Sequence, residues 1–374
     1  MADAITFARS DEQSMLASTV REFLEANTDL DSVREMSLTQ DAFDEVAWRG
    51  LAEIGVVGLN IPEAYGGAGY GLGELSVVFE ELGRMVTPSP LLSSLLASTA
   101  ILAAATDEQK AALLPSIASG ETIATLAVFE DLHGSDLTSA ETVAEPADGG
   151  WIVNGTKRFV TDAPNASLLI VAARVDGAAA LFAVDVDADG VTVRVTPALD
   201  ATRPLGEVVC SDVRLGNDAY LGHAPHPEAV RAALDAGVVA LAHEQVGGAQ
   251  RCLEMAVEYA KTRYQFGRAI GSFQAVKHTC ADMLVAVEHA KSAAWHAARS
   301  IDDPDEAPIS VSLAKSVCSD AYVKVAGDNI QVHGGIGFTW EHDAHLYFKR
   351  AKSTALLLGS VGSYRDRLGD AIGV

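Results

Sequence analysis

The stretch RYQFGRAIGSFQ, residues 263–274, closes a long amphipathic helical pattern in which Tyr259 and Arg263 fall one turn apart on one face. Arg263 presents a planar cationic fork suited to a pyrophosphate, and Phe266 and Phe273 present flat apolar faces on which an adenine can rest. The same residues also fit a plainer reading, a helix ended by a glycine C-cap at Gly267 with a surface arginine before it. Helical periodicity surrounds the stretch over 227–263, 273–301, 308–333 and 343–371, which suits a helical bundle. At the end of the third segment lies QVHGGIGFTWE, residues 331–341. Gly334, Gly335 and Gly337 there remove side chains so that backbone amides can approach a ligand, and Gln331 adds an amide that could bond to it. A glycine-rich turn between two helices is the alternative.

Upstream the period changes. Between about Thr122 and Val213, β-branched runs at TIATLAV, WIVNG, RFVT, SLLIVAARV, ALFAVDV and VTVRV alternate with Gly, Asp and Pro turns, which predicts a compact antiparallel β domain. From Asp11, a plausible N-cap, to about Gly120 the text is helical again, interrupted by the Pro and Gly cluster of IPEAYGGAGYGLGEL at 61–75. The fold class expected is therefore α+β: an N-terminal helical domain over 1–120, a middle antiparallel β domain over 121–225 and a C-terminal helical bundle over 226–374.

Composition narrows the function. A chain of 374 residues, 49% hydrophobic and 21% charged, buries more than one core. With 51 acidic against 27 basic residues the formal charge is −24, which repels polyanions and argues against nucleic acid as a partner. Cys210, Cys252, Cys280 and Cys318 are widely spaced with no CxxC pair, so they read as buried, reduced thiols of a cytoplasmic protein and no metal site is expected. The N-terminus lacks a basic segment followed by an apolar core, and the apolar run at 91–105 falls short of a span of roughly 20 residues, so neither a secretory signal nor membrane insertion is expected.

Taken together, Arg-x-x-Phe-Gly at 263–267 and Gln-x-x-Gly-Gly-x-Gly at 331–337 resemble the C-terminal half of the acyl-CoA dehydrogenase family. The resemblance continues through IPEAYGGAGYG at 61–71, FEDLHGSD at 129–136 and NGTKRFVT at 154–161, five ordered matches in an α, β, α frame. It implies FAD as cofactor, held at its adenosine and pyrophosphate end across a subunit boundary by Arg263, Gln265, Phe266, Phe273, Gln331, Gly334 and Gly335. It places Phe129, Phe159 and Thr161 beside the isoalloxazine, and Ser135 at the flavin and the thioester or pantetheine end of the substrate. Phe159 stands in place of the family's Trp and loses an indole N–H; Phe129 replaces a Thr and loses a hydroxyl. Ordinary strand packing is the plainer account of these β-domain residues.

The family's chemistry needs a carboxylate within reach of the substrate α-carbon. Aligned through Ala351–Lys352 and Gly359, its commonest location falls on Leu358; the alternative, about thirty residues before Gly267, falls on Gly237. Neither can accept a proton, so the catalytic base is unassigned. Glu244 lies seven residues beyond Gly237, on nearly the same helix face but roughly 10 Å along the axis. It is read as a substrate-binding residue at the acyl tail, with the base or a structural hydrogen bond as the other two roles. Asp235, nine residues before Glu244, points the opposite way.

The resemblance thus implies α,β-dehydrogenation of an acyl-CoA with an electron-transferring flavoprotein as acceptor, in a homotetramer or in a heterotetramer with a homologous subunit. A well-kept adenine half beside an altered base half is similar to the non-catalytic subunit of the family's α2β2 members that act on CoA thioesters of steroid side chains. A flavin-dependent oxidation of another substrate on the same fold is the third reading.

Overall fold

The structure is a computed structural model that describes residues 9–39, 43–131 and 140–374. Eleven α-helices and nine strands are described. Six helices come first: α1 (Asp11–Asn27), α2 (Leu30–Met36), α3 (Glu45–Glu53), α4 (Leu72–Met85), α5 (Leu91–Ala104) and α6 (Asp107–Ala118). Seven strands follow: β1 (Ala124–Ala127), β2 (Val143–Ala147), β3 (Gly150–Thr161), β4 (Leu168–Val175), β5 (Ala178–Asp185), β6 (Val191–Thr196) and β7 (Leu205–Gly216). The remainder is α7 (Pro227–Thr262), the short pair β8 (Tyr264–Gln265) and β9 (Arg268–Ala269), then α8 (Gln274–Ser300), α9 (Ala307–His333), α10 (Ala344–Leu356) and α11 (Val361–Ile372).

The chain divides into two compact units, one of residues 1–30, 72–87 and 238–374, the other of residues 31–71 and 88–237. In the first unit, α1 begins on a capping box in which Ser10, not Asp11, is the N-cap: its Oγ accepts from Gln13 N while Gln13 Oε1 accepts from Ser10 N. Helices α4 and α7 meet backbone to backbone. A Cβ on Gly83 would stand 2.0 Å from the Glu244 carbonyl oxygen and one on Gly247 would stand 1.9 Å from that of Glu80, so only glycine allows this approach. A core of Val86, Cys252, Ala256, Met283, Val287, Tyr322, Val325 and Tyr347 closes around them.

The 343–371 segment, expected as one helix, is two. Helix α10 ends at Leu356, and Leu358 and Gly359 take positive φ of 60° and 112° before Ser360 caps α11. Two consecutive residues in that conformation end any right-handed helix.

In the second unit the sheet is mixed rather than purely antiparallel. Strands β2–β3, β3–β7, β6–β7 and β4–β5 pair antiparallel, but β1 pairs parallel with β4 along four residues, and β2 meets β4 in parallel at Val143 and Arg174. The reason is connectivity. The chain leaves β1 for the β2–β3 hairpin and comes back as β4 in the same direction, a crossover that alternation within each strand does not reveal. Trp151, Phe182 and Tyr220 close the core of this unit, Phe182 stacking on Tyr220 at 4.9 Å.

Candidate functional site

Arg263 follows the last residue of α7, and its N–H donates to the Tyr259 carbonyl at 2.8 Å. The chain then makes a two-residue hairpin: Gln265 pairs with Arg268, and Phe266 and Gly267 bridge them with φ of 52° and 76°. Two left-handed residues in succession form the turn that matches strand twist. Gly267 therefore serves a hairpin, not a helix cap. The turn carries the Phe266 ring out to 90% exposure, edge-on to Phe273 at 6.1 Å, and the Arg268 guanidinium lies 4.1 Å over the Phe273 ring. The guanidinium of Arg263 meets no carboxylate among the described residues and is exposed.

The second glycine-rich segment lies beside the first. Tyr259 stacks on His333 at 4.4 Å, and His333 Nδ1 approaches the Asn329 carbonyl at 2.8 Å. Gly334, with φ 63°, ends α9 by donating to the Ile330 and Gln331 carbonyls. Gln331, Gly334 and Gly335 are exposed, and a Cβ on either glycine would meet nothing within 4 Å. Gly337 differs from the expectation: it is buried, a Cβ there would stand 2.7 Å from that of His333, and it serves packing rather than ligand approach. Past it, Phe338 is 84% and Trp340 71% exposed. These two aromatics lie within the 331–341 stretch but carry no role in the sequence reading.

The β-domain residues fall within the second unit. Phe129 follows β1, and its carbonyl accepts from Arg158 N at 2.7 Å. Phe159, half-buried, has φ 55° at a slip in the β3–β7 register between Lys157 and Val160. A bulge of that kind re-aims a side chain, and an aromatic held there costs on the order of 1–3 kcal/mol, a strain that collects at working sites. Thr161 is buried, and its carbonyl accepts from Thr125 Oγ1 at 2.6 Å. Ser135 lies outside the described residues.

Two further residues of these motifs carry a charge pair, Lys157 buried and Glu130 half-buried, that sequence reading passed over. Lys157, 1% exposed, donates from Nζ to Glu130 Oε1 at 2.7 Å and to the Val128 carbonyl at 3.1 Å. The Glu130 carboxylate also accepts from the amides of Glu141 and Thr142, at 2.6 and 2.8 Å. Burial alone would raise the Glu130 carboxyl, but Lys157 and these amides outweigh it and hold it down at about 2. The charges of FEDL and NGTK, 27 residues apart, were the available signal.

The two positions onto which the family resemblance places the base are apolar. Leu358 is 6% exposed, and Gly237 is buried within α7. Asp235 is buried. Glu244 is 1% exposed, and its Oε1 accepts from Arg350 Nη1 at 2.6 Å, Arg350 being equally buried on α10. No described helix is long and apolar enough to cross a membrane.

Comparison with known proteins meets this geometry at every domain. Family models match at residues 10–121 (acyl-CoA dehydrogenase, N-terminal domain), 125–213 (middle domain) and 228–373 (C-terminal domain). The chain belongs to the acyl-CoA dehydrogenase family. It is 35% identical over 359 residues to the acyl-CoA dehydrogenase IpdE2 of Mycobacterium tuberculosis, covering 96% of each chain. Among solved structures it is similar to the ChsE4-ChsE5 complex from Mycobacterium tuberculosis, with TM-score 0.91, 28% identity and 99% of each chain covered. It is also similar to butyryl-CoA dehydrogenase from Megasphaera elsdenii, with TM-score 0.92, 25% identity, and 99% of this chain and 100% of that one covered.

Proposed function

We propose that this chain is an FAD-binding component of an acyl-CoA dehydrogenase whose catalytic carboxylate comes from a homologous partner. The observation that carries the reading is the pairing of two apolar base positions, Leu358 and Gly237, with a neighbouring acid, Glu244, whose carboxylate is committed to Arg350. A base must be free to take a proton at the substrate. Glu244 is closed off from solvent and bonded to a guanidinium, which favours the structural role over both the base and the tail-lining role.

The residues present fit FAD. An exposed Arg263 without a carboxylate suits a pyrophosphate, Phe266 and Phe273 suit an adenine face, and the open backbone at Gly334 and Gly335 with Gln331 leaves room for a ligand at hydrogen-bonding distance. Gln265 belongs to the same hairpin. On the β domain, Phe129, Ser135, Phe159 and Thr161 are assigned to the flavin ring, and Ser135 also to the thioester. When bound, the flavin supplies the two-electron acceptor for α,β-dehydrogenation of an acyl-CoA. This chain's part is to bind, orient and exclude water.

An assembly of four chains, two of them the base-bearing homologue, with an electron-transferring flavoprotein as acceptor, completes the reading. Similarity to a solved complex of two named chains, ChsE4-ChsE5, supports the heteromer over a homotetramer. The buried free thiols of Cys210, Cys252 and Cys318 fit a reducing cytoplasm; Cys280 is only half-buried.

The test is anaerobic bleaching of the flavin by a panel of acyl-CoAs, with this chain alone and with a co-expressed homologue. Bleaching confined to the mixed complex is expected, because acid–base assistance is worth roughly 10²–10⁴ in rate. Rapid bleaching by the lone chain overturns the proposal.

A further inference from the structure

The turn that carries Leu358 is held by a buried polar cluster built from four helices of the first unit. Lys315 on α9, 1% exposed, donates from Nζ to the carbonyls of Thr354 at 2.8 Å and Leu357 at 2.7 Å, the last acceptors at the end of α10. Gln245 on α7 donates from Nε2 to Thr354 Oγ1 and to Ser319 Oγ, both at 3.1 Å. From α11 the Tyr364 hydroxyl donates to the Leu358 carbonyl at 3.2 Å. The turn itself has one narrow conformation, Leu358 at φ 60° and Gly359 at φ 112°, and a Cβ on Gly359 would stand 2.9 Å from the Tyr364 ring.

A lysine buried this deeply with no carboxylate partner among the described residues is an expensive choice for a helix end that glycine alone could terminate. Burial pushes the Lys315 amine down to about 7, and the oxygens it meets lie at the negative end of the α10 dipole. A buried network of several hydrogen bonds favours one conformation where apolar packing would permit several.

We propose that Lys315, with Tyr364, is a positioning residue that clamps the Leu357–Gly359 turn, so that the side chain at position 358 is presented in one fixed direction to the acyl-CoA and flavin site. The meaning of that direction rests on the reading of position 358 as the vacated base position, but the clamp itself can be tested without flavin, substrate or partner. The leucine there is buried, and the same clamp would serve a carboxylate at 358 in a catalytic chain.

The experiment is hydrogen–deuterium exchange by mass spectrometry on the full-length protein and on Lys315→Met, Lys315→Arg and Tyr364→Phe. In Lys315→Met, amides of the Leu357–Tyr364 segment are expected to exchange about tenfold faster while those of α1 and α4 keep their rates, as for a local opening. Lys315→Arg, which keeps a charged donor, is expected to return most of the protection. Tyr364→Phe removes only the hydroxyl and is expected to speed exchange in the same segment, which keeps the proposal testable if the Lys315 variants do not fold. Acceleration spread evenly over α9, α10 and α11, equal exchange in the Met and Arg variants, or a Tyr364→Phe turn at the wild-type rate would each overturn it.

Discussion

Replacing Glu244 by glutamine separates its structural role from a catalytic one. The carboxylate lies 2.6 Å from Arg350 Nη1 with both side chains 1% exposed, so the substitution leaves the Arg350 cation buried without that counter-charge. Removing one partner of such a pair costs about 3–5 kcal/mol. Glutamine keeps an acceptor oxygen, so the lower end, about 3 kcal/mol, is expected, roughly a hundredfold in the unfolding equilibrium. Urea unfolding followed by tryptophan fluorescence, with Trp295 on α8 of the same unit as a reporter, should show an earlier midpoint at an unchanged slope. Glu244→Gln combined with Arg350→Met should recover most of the loss, because a neutral pair has no buried charge to compensate. The reasoning is refuted if Glu244→Gln leaves the midpoint within about 0.5 kcal/mol of wild type, the size of an ordinary surface change. If stability holds and turnover falls by several orders of magnitude with the flavin retained, Glu244 is the base.

Arg263→Ala is expected to weaken FAD retention by about 1.5–3 kcal/mol, the worth of a hydrogen bond to a charged group, and flavin content after dialysis checks it. Unchanged content would remove Arg263 from the pyrophosphate site. For Glu130 the sign follows from its lowered carboxyl, about 2 against an ordinary 4.5: the bond to Lys157 stabilises the second unit above pH 4.5 and that contribution is lost as pH falls toward 2. Glu130→Gln should therefore flatten the acid-unfolding curve over that window, by an amount reduced by the solvent that reaches the carboxylate; identical curves would count against a stabilising Glu130–Lys157 pair.

Local pattern made much of this protein legible in advance. The 3.6 and 2.0 periods separate helical from strand text without reference to anything distant, and the spacing of Arg263, Phe266 and Gly267, and of Gln331, Gly334 and Gly335, marks both glycine-rich segments. That Leu358 and Gly237 cannot act as a base needed only residue identity, once the family resemblance had pointed to those two positions. The hairpin at 264–269 was not legible: Phe-Gly at its centre suits a helix cap, and only the pairing of Gln265 with Arg268 makes it a turn between strands.

What tertiary structure decided are relations between residues far apart in the chain. The parallel pairing of β1 with β4, the Arg350 that claims Glu244 from 106 residues away and the Lys315 that reaches the end of α10 have no periodic signature. Sequence reading therefore left Glu244 with three roles, since helical phase shows which way a side chain points and not what meets it. A buried charge takes its role from the partner that offsets its desolvation, and that partner is chosen by packing, not by proximity along the chain.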